Sequence, residues 1–115
     1  MNIETFATIV LLIQLLHSIE ELSTGFHKKW FVMKLTFKQF LSFEIVFNLF
    51  WIAVVLLETF PFRYNLLSFF VILMFFQSSL HIAWYGQIKK YVPGLTTALV
   101  HIGAFLVYYF QVLLK

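Results

Sequence analysis

The chain has 115 residues, of which 62% are hydrophobic and 11% are charged. Soluble domains carry about 25% charged residues, and a soluble chain of this size has too little interior to bury so much apolar surface. The composition therefore excludes an ordinary soluble domain and predicts an integral membrane protein in one domain. The net charge of +3 does not indicate nucleic-acid binding, because the basic residues lie in short loops between apolar segments. The lack of cysteine excludes disulfides and thiolate metal sites.

Four apolar segments are long enough to span a bilayer, which requires about 20 residues. They cover about residues 5–24, 38–59, 65–86 and 94–114. Their apolar character is continuous and lacks the alternation of a transmembrane barrel, so we predict helices. Because the connections are short, consecutive helices are expected to be antiparallel. The predicted fold class is all-α, a polytopic membrane protein built as an antiparallel four-helix bundle.

Glycine and proline punctuate the boundaries between these segments. Gly25 is expected to end the first helix as a C-terminal cap, and Pro93-Gly94 precedes the fourth helix. His27 lies in the basic loop after the first helix, where we expect it to be solvated. Trp30 and Trp84 are interpreted as aromatic-belt residues, with an entrance to a site as the alternative.

The distribution of basic residues predicts the orientation in the membrane. The first and third loops carry Lys28, Lys29, Lys34, Lys38, Lys89 and Lys90, whereas the other side carries only Arg63 and Lys115. Cytoplasmic loops are enriched in lysine and arginine. The first and third loops are therefore expected in the cytoplasm, and both termini outside.

The sequence His17-Ser18-Ile19-Glu20-Glu21 places one imidazole and two carboxylates within two turns of the first helix. Ionisable groups at membrane depth are costly, so they indicate a functional site, a water-filled cavity or a helix end at the interface. His17 and Glu21 are four residues apart and share a helix face, so both can bind one ion. Glu20 then occupies the position of the general base in inverted metalloprotease-like motifs, and we predict that it is catalytic.

Three other ionisable residues lie at the depth of His17, one on each remaining helix: Glu44, His81 and His101. Each is about five to seven residues from the predicted helix end at the basic loops, which corresponds to about 8–11 Å. Polar residues on the same faces are expected to support the ionisable groups by hydrogen bonds: Gln14, Asn48, Gln77, Ser78, Tyr85 and Thr97. The pattern predicts a bundle with a polar interior in the half near the basic loops.

The candidate metal ligands are His17, Glu21, Glu44, His81 and His101. Nitrogen and carboxylate donors without sulfur suit zinc, iron or manganese, and the set exceeds the three ligands of an ordinary catalytic zinc site. We therefore expect a divalent transition metal, with one or two ions in the bundle. Polar residues that only hold the helices together, and a proton relay, are the alternatives.

Two sequence patterns carry a resemblance to a known family. The His17–Glu21 segment resembles the defining motif of the HXXEE family of small bacterial membrane proteins, whose function is unknown. The segment Tyr91-Val92-Pro93-Gly94-Leu95-Thr96-Thr97-Ala98 resembles that family's second pattern, Tyr-x-Pro-Gly-x-x-Thr-Ala, and His81 is placed like a family histidine. The resemblance implies a bacterial four-helix membrane protein and supplies no activity. We expect the protein in the bacterial inner membrane.

These features lead to a hypothesis of function. The preferred one is a metal-dependent membrane enzyme, a hydrolase or hydroxylase, that acts on a membrane lipid or another amphipathic small molecule at a site in the cytoplasmic half of the bundle. A proton- or metal-coupled transporter is an alternative, but the outer half lacks polar residues for a continuous path unless the chain forms a homo-oligomer. A small accessory subunit with a structural polar core is the third hypothesis.

Overall fold

A computed structural model describes residues 2–30 and 32–114; Lys115, used above for the orientation, lies outside them. The elements are α1 (Ile3–Ser23), α2 (Phe26–Lys29), α3 (Phe37–Leu56), α4 (Arg63–Ile88) and α5 (Leu95–Tyr108), which continues into a π-helical turn at Tyr109–Leu113. Four of these helices are long and apolar enough to cross a membrane. The predicted four-helix membrane bundle is confirmed. When the π-helical turn is counted with α5, the helix bounds differ from the expected ones by about three residues at most.

Local capping explains where the long helices begin and end. The Asn2 side chain accepts a hydrogen bond from the Thr5 amide at the start of α1, and Thr36 forms a capping box with Gln39 at the start of α3. Gly25 follows the end of α1 with a φ of 79°, a left-handed conformation that favours glycine. Gly94 precedes α5 with a φ of 89°. Both glycines therefore turn the chain where the sequence predicts.

A buried arginine holds three helix ends together on the side of the N-terminus. Arg63 donates from Nε to the Val54 carbonyl (2.9 Å) and from Nη2 to the Val55 carbonyl (2.6 Å), at the C-terminus of α3. Its Nη1 atom lies 3.3 Å from Glu4 Oε2 of α1, and Tyr64 donates to Glu4 Oε1 at 2.9 Å. The starts of α1 and α4 therefore lie at the same end of the bundle as the end of α3.

The interior has an apolar half and a polar half. Towards Arg63, a cluster fills the space between the helices with Phe6, Ala7, Val10, Leu11, Trp51, Val54, Val55, Leu67, Phe70, Val71, Met74 and Tyr108. Towards the basic loops, a second cluster contains Phe26, Phe40, Trp84 and Val92. Apart from Arg63, the buried polar side chains of α1, α3, α4 and α5 lie between them, so the predicted polar interior near the basic loops is present. Helix α1 packs against each of the other three long helices, whereas α3 contacts α4 less extensively.

The short helix α2 is not predicted by the sequence, and it corrects the expectation for His27. The left-handed turn at Gly25 directs Phe26 and His27 onto α3, where the His27 ring lies 5.5 Å from the Phe37 ring and 6.4 Å from the Phe40 ring. His27 is 8% exposed. The expectation that it is solvated is wrong, because the turn at Gly25 places the His27 ring against Phe37 and Phe40.

Candidate metal centre

Three of the predicted ligands converge at the centre of the polar half. His17 Nε2 lies 3.5 Å from Glu21 Oε1, and His81 Nε2 lies 3.4 Å from Glu21 Oε2. One ligand atom from each of these residues lies within 4.8 Å of the other two, and all three side chains are buried. Because α1 is an unbroken α-helix to Ser23, residues four apart face the same way, as predicted. The structure therefore brings together two imidazoles and one carboxylate from α1 and α4.

His101 and Glu44 lie beside this group and outside its 4.8 Å limit. The His101 ring is 5.8 Å from the His17 ring, and neither of its nitrogens has a hydrogen-bond partner among residues 2–30 and 32–114. The Glu44 carboxyl faces that of Glu21 and accepts a hydrogen bond from Ser18 Oγ at 2.5 Å. Both residues are buried next to the three convergent ligands, where they can support a bound ion or move a proton.

Ser18 organises the polar contacts between α1 and α3. Its hydroxyl donates to Glu44 and accepts hydrogen bonds from Gln14 Nε2 (3.2 Å) and Asn48 Nδ2 (2.9 Å). The sequence predicts a supporting role for Gln14 and Asn48, and both contact this network. It assigns no role to Ser18, although the position of Ser18 inside the motif, one residue after His17, puts it on the face that meets α3.

Glu20 points away from the convergent ligands and binds the start of α5. Its carboxylate accepts hydrogen bonds from the backbone amides of Thr96 (3.1 Å) and Thr97 (2.9 Å), from the Thr97 hydroxyl (2.7 Å) and from the Tyr91 hydroxyl. Burial of the Tyr91 hydroxyl makes the largest contribution to raising the pKa of Tyr91 above its usual value, and the hydrogen bond to Glu20 makes the next largest. The catalytic role of Glu20 stays a prediction, and these contacts give it a second role as the cap of a helix N-terminus.

The supporting residues on α4 and α5 divide into two groups. Gln77 Nε2 lies 2.7 Å from His17 Nε2, and the Thr97 hydroxyl lies 2.6 Å from His17 Nδ1, so both contact a candidate ligand. Ser78 is buried, and its hydroxyl has no partner within the described part of the chain. Tyr85 is 45% exposed, and no hydrogen bond between it and the candidate ligands is found among the described residues. The structure does not bring Tyr85 to the candidate ligands, and its supporting role stays a prediction.

Gly94 is a component of the site that the sequence indicates only as a helix boundary. A Cβ atom at this position would lie 2.7 Å from Cε1 of His17, 2.8 Å from Cε1 of His81 and 3.2 Å from Cγ of Glu21. The two imidazoles therefore pack directly on the backbone of Gly94. Its position inside the second sequence pattern is the only signal that could have indicated this contact.

A cavity of about 900 Å³ reaches the site from the gap between α3 and α4. Its inner wall contains Gln14, Glu21, Glu44, Gln77 and His81, and the rest of its lining is mostly apolar. Phe43 of α3 and Phe76 and Leu80 of α4 line it and are exposed on the outer surface, so the cavity opens towards the lipid-facing side of these helices. Trp30 and Trp84 also line it, in agreement with the alternative that they form an entrance.

Comparison with known proteins identifies the family. The sequence profile described as "Protein of unknown function with HXXEE motif" matches residues 8–109. The chain belongs to this family. The match covers both patterns, and it therefore confirms the resemblance. No characterised protein and no solved structure matches the chain significantly.

Proposed function

We propose that this member of the HXXEE family is a metal-dependent membrane enzyme. The observation that carries the proposal is a buried two-histidine, one-carboxylate group at the inner wall of an apolar cavity. Two ligand atoms at about 2.0–2.1 Å from a tetrahedral ion are about 3.3 Å apart. The separations of Glu21 from His17 (3.5 Å) and from His81 (3.4 Å) are close to that value. Both also exceed the range of about 2.7–3.2 Å for a normal hydrogen bond.

The chemistry of the donor set defines the kind of ion and reaction. Two histidines and one carboxylate bind zinc in hydrolases and iron(II) in oxygenases, and both kinds of site leave open positions for substrate. A bound zinc, iron or manganese ion would supply Lewis-acid or redox chemistry. Glu44 faces Glu21 from α3 and lines the cavity, so it is suited to accept a proton from the reacting group. Zinc would indicate a hydrolase, and iron a hydroxylase.

The cavity supports an amphipathic substrate. Its lining is mostly apolar, and it opens between membrane-spanning helices through the exposed side chains of Phe43, Phe76 and Leu80. An acyl chain can enter such an opening from the bilayer without crossing water. The acyl chain would lie between α3 and α4 with its polar end towards Glu21 and His81. We therefore propose a lipid or a single-chain amphiphile as the substrate.

The apolar half of the bundle favours an enzyme over a transporter. Phe6, Val10, Leu67, Phe70 and their neighbours are almost fully buried and fill the interior on the side of Arg63. A polar substrate or an ion would have to pass this cluster to cross the membrane. A site that is reached laterally from the lipid needs no such path.

Measurement of bound metal tests the proposal directly. Protein purified in detergent without chelators is expected to contain one or two transition-metal ions per chain by inductively coupled plasma mass spectrometry. The variants His17→Gln, Glu21→Gln and His81→Gln should lose them. His27→Gln is the matched control, because His27 is also a buried histidine but lies on α2, away from the three ligands. Folded wild-type protein that contains no transition metal and binds no added zinc, iron or manganese would contradict the proposal and favour an accessory subunit whose polar core is structural.

A second experiment tests the reaction and the substrate class. Metal-loaded protein in vesicles is expected to cleave a long-chain 4-nitrophenyl ester faster than the acetate ester, because only the long chain fills the cavity. Glu44→Gln should retain the metal and lose this activity. Phe76→Trp should obstruct the opening and lower the rate for the long-chain ester more than for the acetate. If the metal is iron and neither ester is cleaved, the hydroxylase is tested instead with palmitic acid, dioxygen and an added two-electron reductant. One oxygen atom of dioxygen would enter the hydroxylated product, detected by mass spectrometry, and the other would leave as water. Failure of both reactions would reject the enzyme proposal.

A further inference from the structure

The two sequence patterns meet at one hydroxyl group. The Thr97 hydroxyl lies 2.7 Å from Glu20 Oε1 and 2.6 Å from His17 Nδ1. Glu20 and His17 belong to the first pattern, and Thr97 belongs to the second. A single hydroxyl therefore connects the carboxylate that caps α5 with one of the candidate metal ligands.

The hydrogen-bonding capacity of these groups determines the direction of the bonds. The Glu20 carboxylate accepts from two backbone amides and from Tyr91, which is the environment of an ionised carboxylate. An ionised carboxylate can only accept, so the Thr97 hydroxyl donates its proton to Glu20. A second acceptor near this hydroxyl, the backbone carbonyl of Gly94, is farther away at 3.3 Å. Towards His17 the hydroxyl has only its lone pairs left, so His17 Nδ1 must carry the hydrogen.

The opposite side of the imidazole leads to the same assignment. The Gln77 side-chain nitrogen, which is a donor, lies 2.7 Å from His17 Nε2. In a neutral imidazole with hydrogen on Nδ1, Nε2 has a free lone pair that accepts this bond. The same lone pair faces Glu21 Oε1 at 3.5 Å. A metal ion bound at this lone pair would replace the Gln77 hydrogen bond and be shared with the Glu21 carboxylate.

We propose that Thr97 and Glu20 are positioning residues, which fix the tautomer of His17 so that Nε2 is available as a metal ligand. Partners of this kind, which orient a ligating histidine through its other ring nitrogen, raise metal affinity by about 10–100-fold. The part of the inference that concerns metal affinity rests on the proposed function. The assignment of the tautomer does not, because it follows from the hydrogen bonds among Glu20, Thr97, His17 and Gln77.

Nitrogen-15 NMR of histidine-labelled protein tests the tautomer. The sample is the full chain in detergent micelles, treated with EDTA and held at a pH at which the imidazoles are neutral; the His17 signals are identified by their loss in His17→Gln. Long-range proton–nitrogen correlations are expected to show hydrogen on Nδ1 in the wild type. Thr97→Val should shift His17 towards the other tautomer, whereas Thr97→Ser, which keeps the hydroxyl, should restore the wild-type pattern. Thr96→Val is the matched control, because Thr96 contacts Glu20 through its backbone amide.

The same variants in a zinc competition assay separate this inference from the proposed function. Thr97→Val is expected to lower zinc affinity by about 10–100-fold, with recovery in Thr97→Ser. Hydrogen on Nε2 in the wild type, or an unchanged tautomer in folded Thr97→Val, would overturn the inference even if zinc binds. The expected tautomer in a wild-type protein that binds no metal would support the positioning by Thr97 and reject the metal proposal alone.

Discussion

The substitution Gly94→Ala tests the packing of the candidate site most directly. Gly94 combines two constraints, a positive φ of 89° and the close approach of the His17 and His81 rings. Two other glycines of the chain lack the close approach, and only one of them has a positive φ. Gly25 has a φ of 79° and open space where a Cβ atom would lie, and Gly103 is helical with open space at the same position. The three alanine variants therefore form an internal comparison.

The size of the effect follows from these two terms. An alanine in the left-handed region costs about 1–2 kcal/mol. The Cβ atom at position 94 would lie 2.7 Å and 2.8 Å from the two Cε1 atoms, whereas carbon atoms pack best at about 3.5–4.0 Å. Overpacking of this kind costs about 1–3 kcal/mol, since Thr97 and Gln77 hold the His17 ring in place. Gly94→Ala should therefore lower the free energy of unfolding by about 2–5 kcal/mol.

Equilibrium unfolding in mixed micelles, followed by circular dichroism, measures the three variants. Gly25→Ala should lose only the backbone term of about 1–2 kcal/mol, and Gly103→Ala should be neutral or gain about 0.5–1 kcal/mol. Gly94→Ala should also weaken zinc binding, because His17 and His81 must move. A loss in Gly94→Ala no larger than that in Gly25→Ala would refute the contact between Gly94 and the imidazoles.

Three other predictions address the polar layer, the α5 cap and the orientation. Ser18→Ala should lower the free energy of unfolding by about 1–3 kcal/mol, because Glu44, Gln14 and Asn48 lose a shared partner. Ser79 bonds only within its own helix, so Ser79→Ala should change the free energy of unfolding by less than about 0.5 kcal/mol. Equal effects of the two substitutions in micelle unfolding would contradict the role of Ser18. Because the pKa of Tyr91 is raised in the folded state, its hydroxyl contributes stability below about pH 10 that is lost as the pH rises through the folded pKa. The wild type should therefore lose stability in alkali more steeply than Tyr91→Phe. Parallel curves of unfolding free energy against pH for the two proteins would contradict this. A reporter fused after residue 115 should be active outside the cytoplasm, and cytoplasmic activity would reverse the predicted orientation.

The helices could be predicted because their signals are local. Length and continuous apolar character determine which segments can cross a membrane, and Gly25 and Gly94 mark turns that need a positive φ. The one-turn helix α2 could not be predicted, since its four residues contain no periodic pattern. The burial of His27 follows from the direction in which that turn leaves Gly25, and this direction depends on tertiary packing.

The candidate site was predictable where helical spacing and depth suffice. His17 and Glu21 share a face, and the depth of His81 brings it to the same layer. Tyr85 shares a helix face with His81 as well, but its side chain is exposed although the adjacent Trp84 is buried, which spacing cannot indicate. The contacts of Glu20 and Gly94 depend on how the start of α5 meets the end of α1. That arrangement is tertiary, so the sequence indicated neither contact.

The unpaired groups of the polar layer bear on the choice between the proposed ligand binding and a purely structural role. Hydrogen bonds that hold membrane helices together stabilise by about 0.6 kcal/mol each, and only if both partners are paired. Within residues 2–30 and 32–114, both nitrogens of His101, Nδ1 of His81 and Oγ of Ser78 are buried without a partner. Each buried unpaired group costs about 1–3 kcal/mol, which exceeds what a neighbouring bond returns. A layer selected only for stability would replace these residues with leucine or phenylalanine, so their presence beside His17 and Glu21 favours a site that binds an ion or substrate.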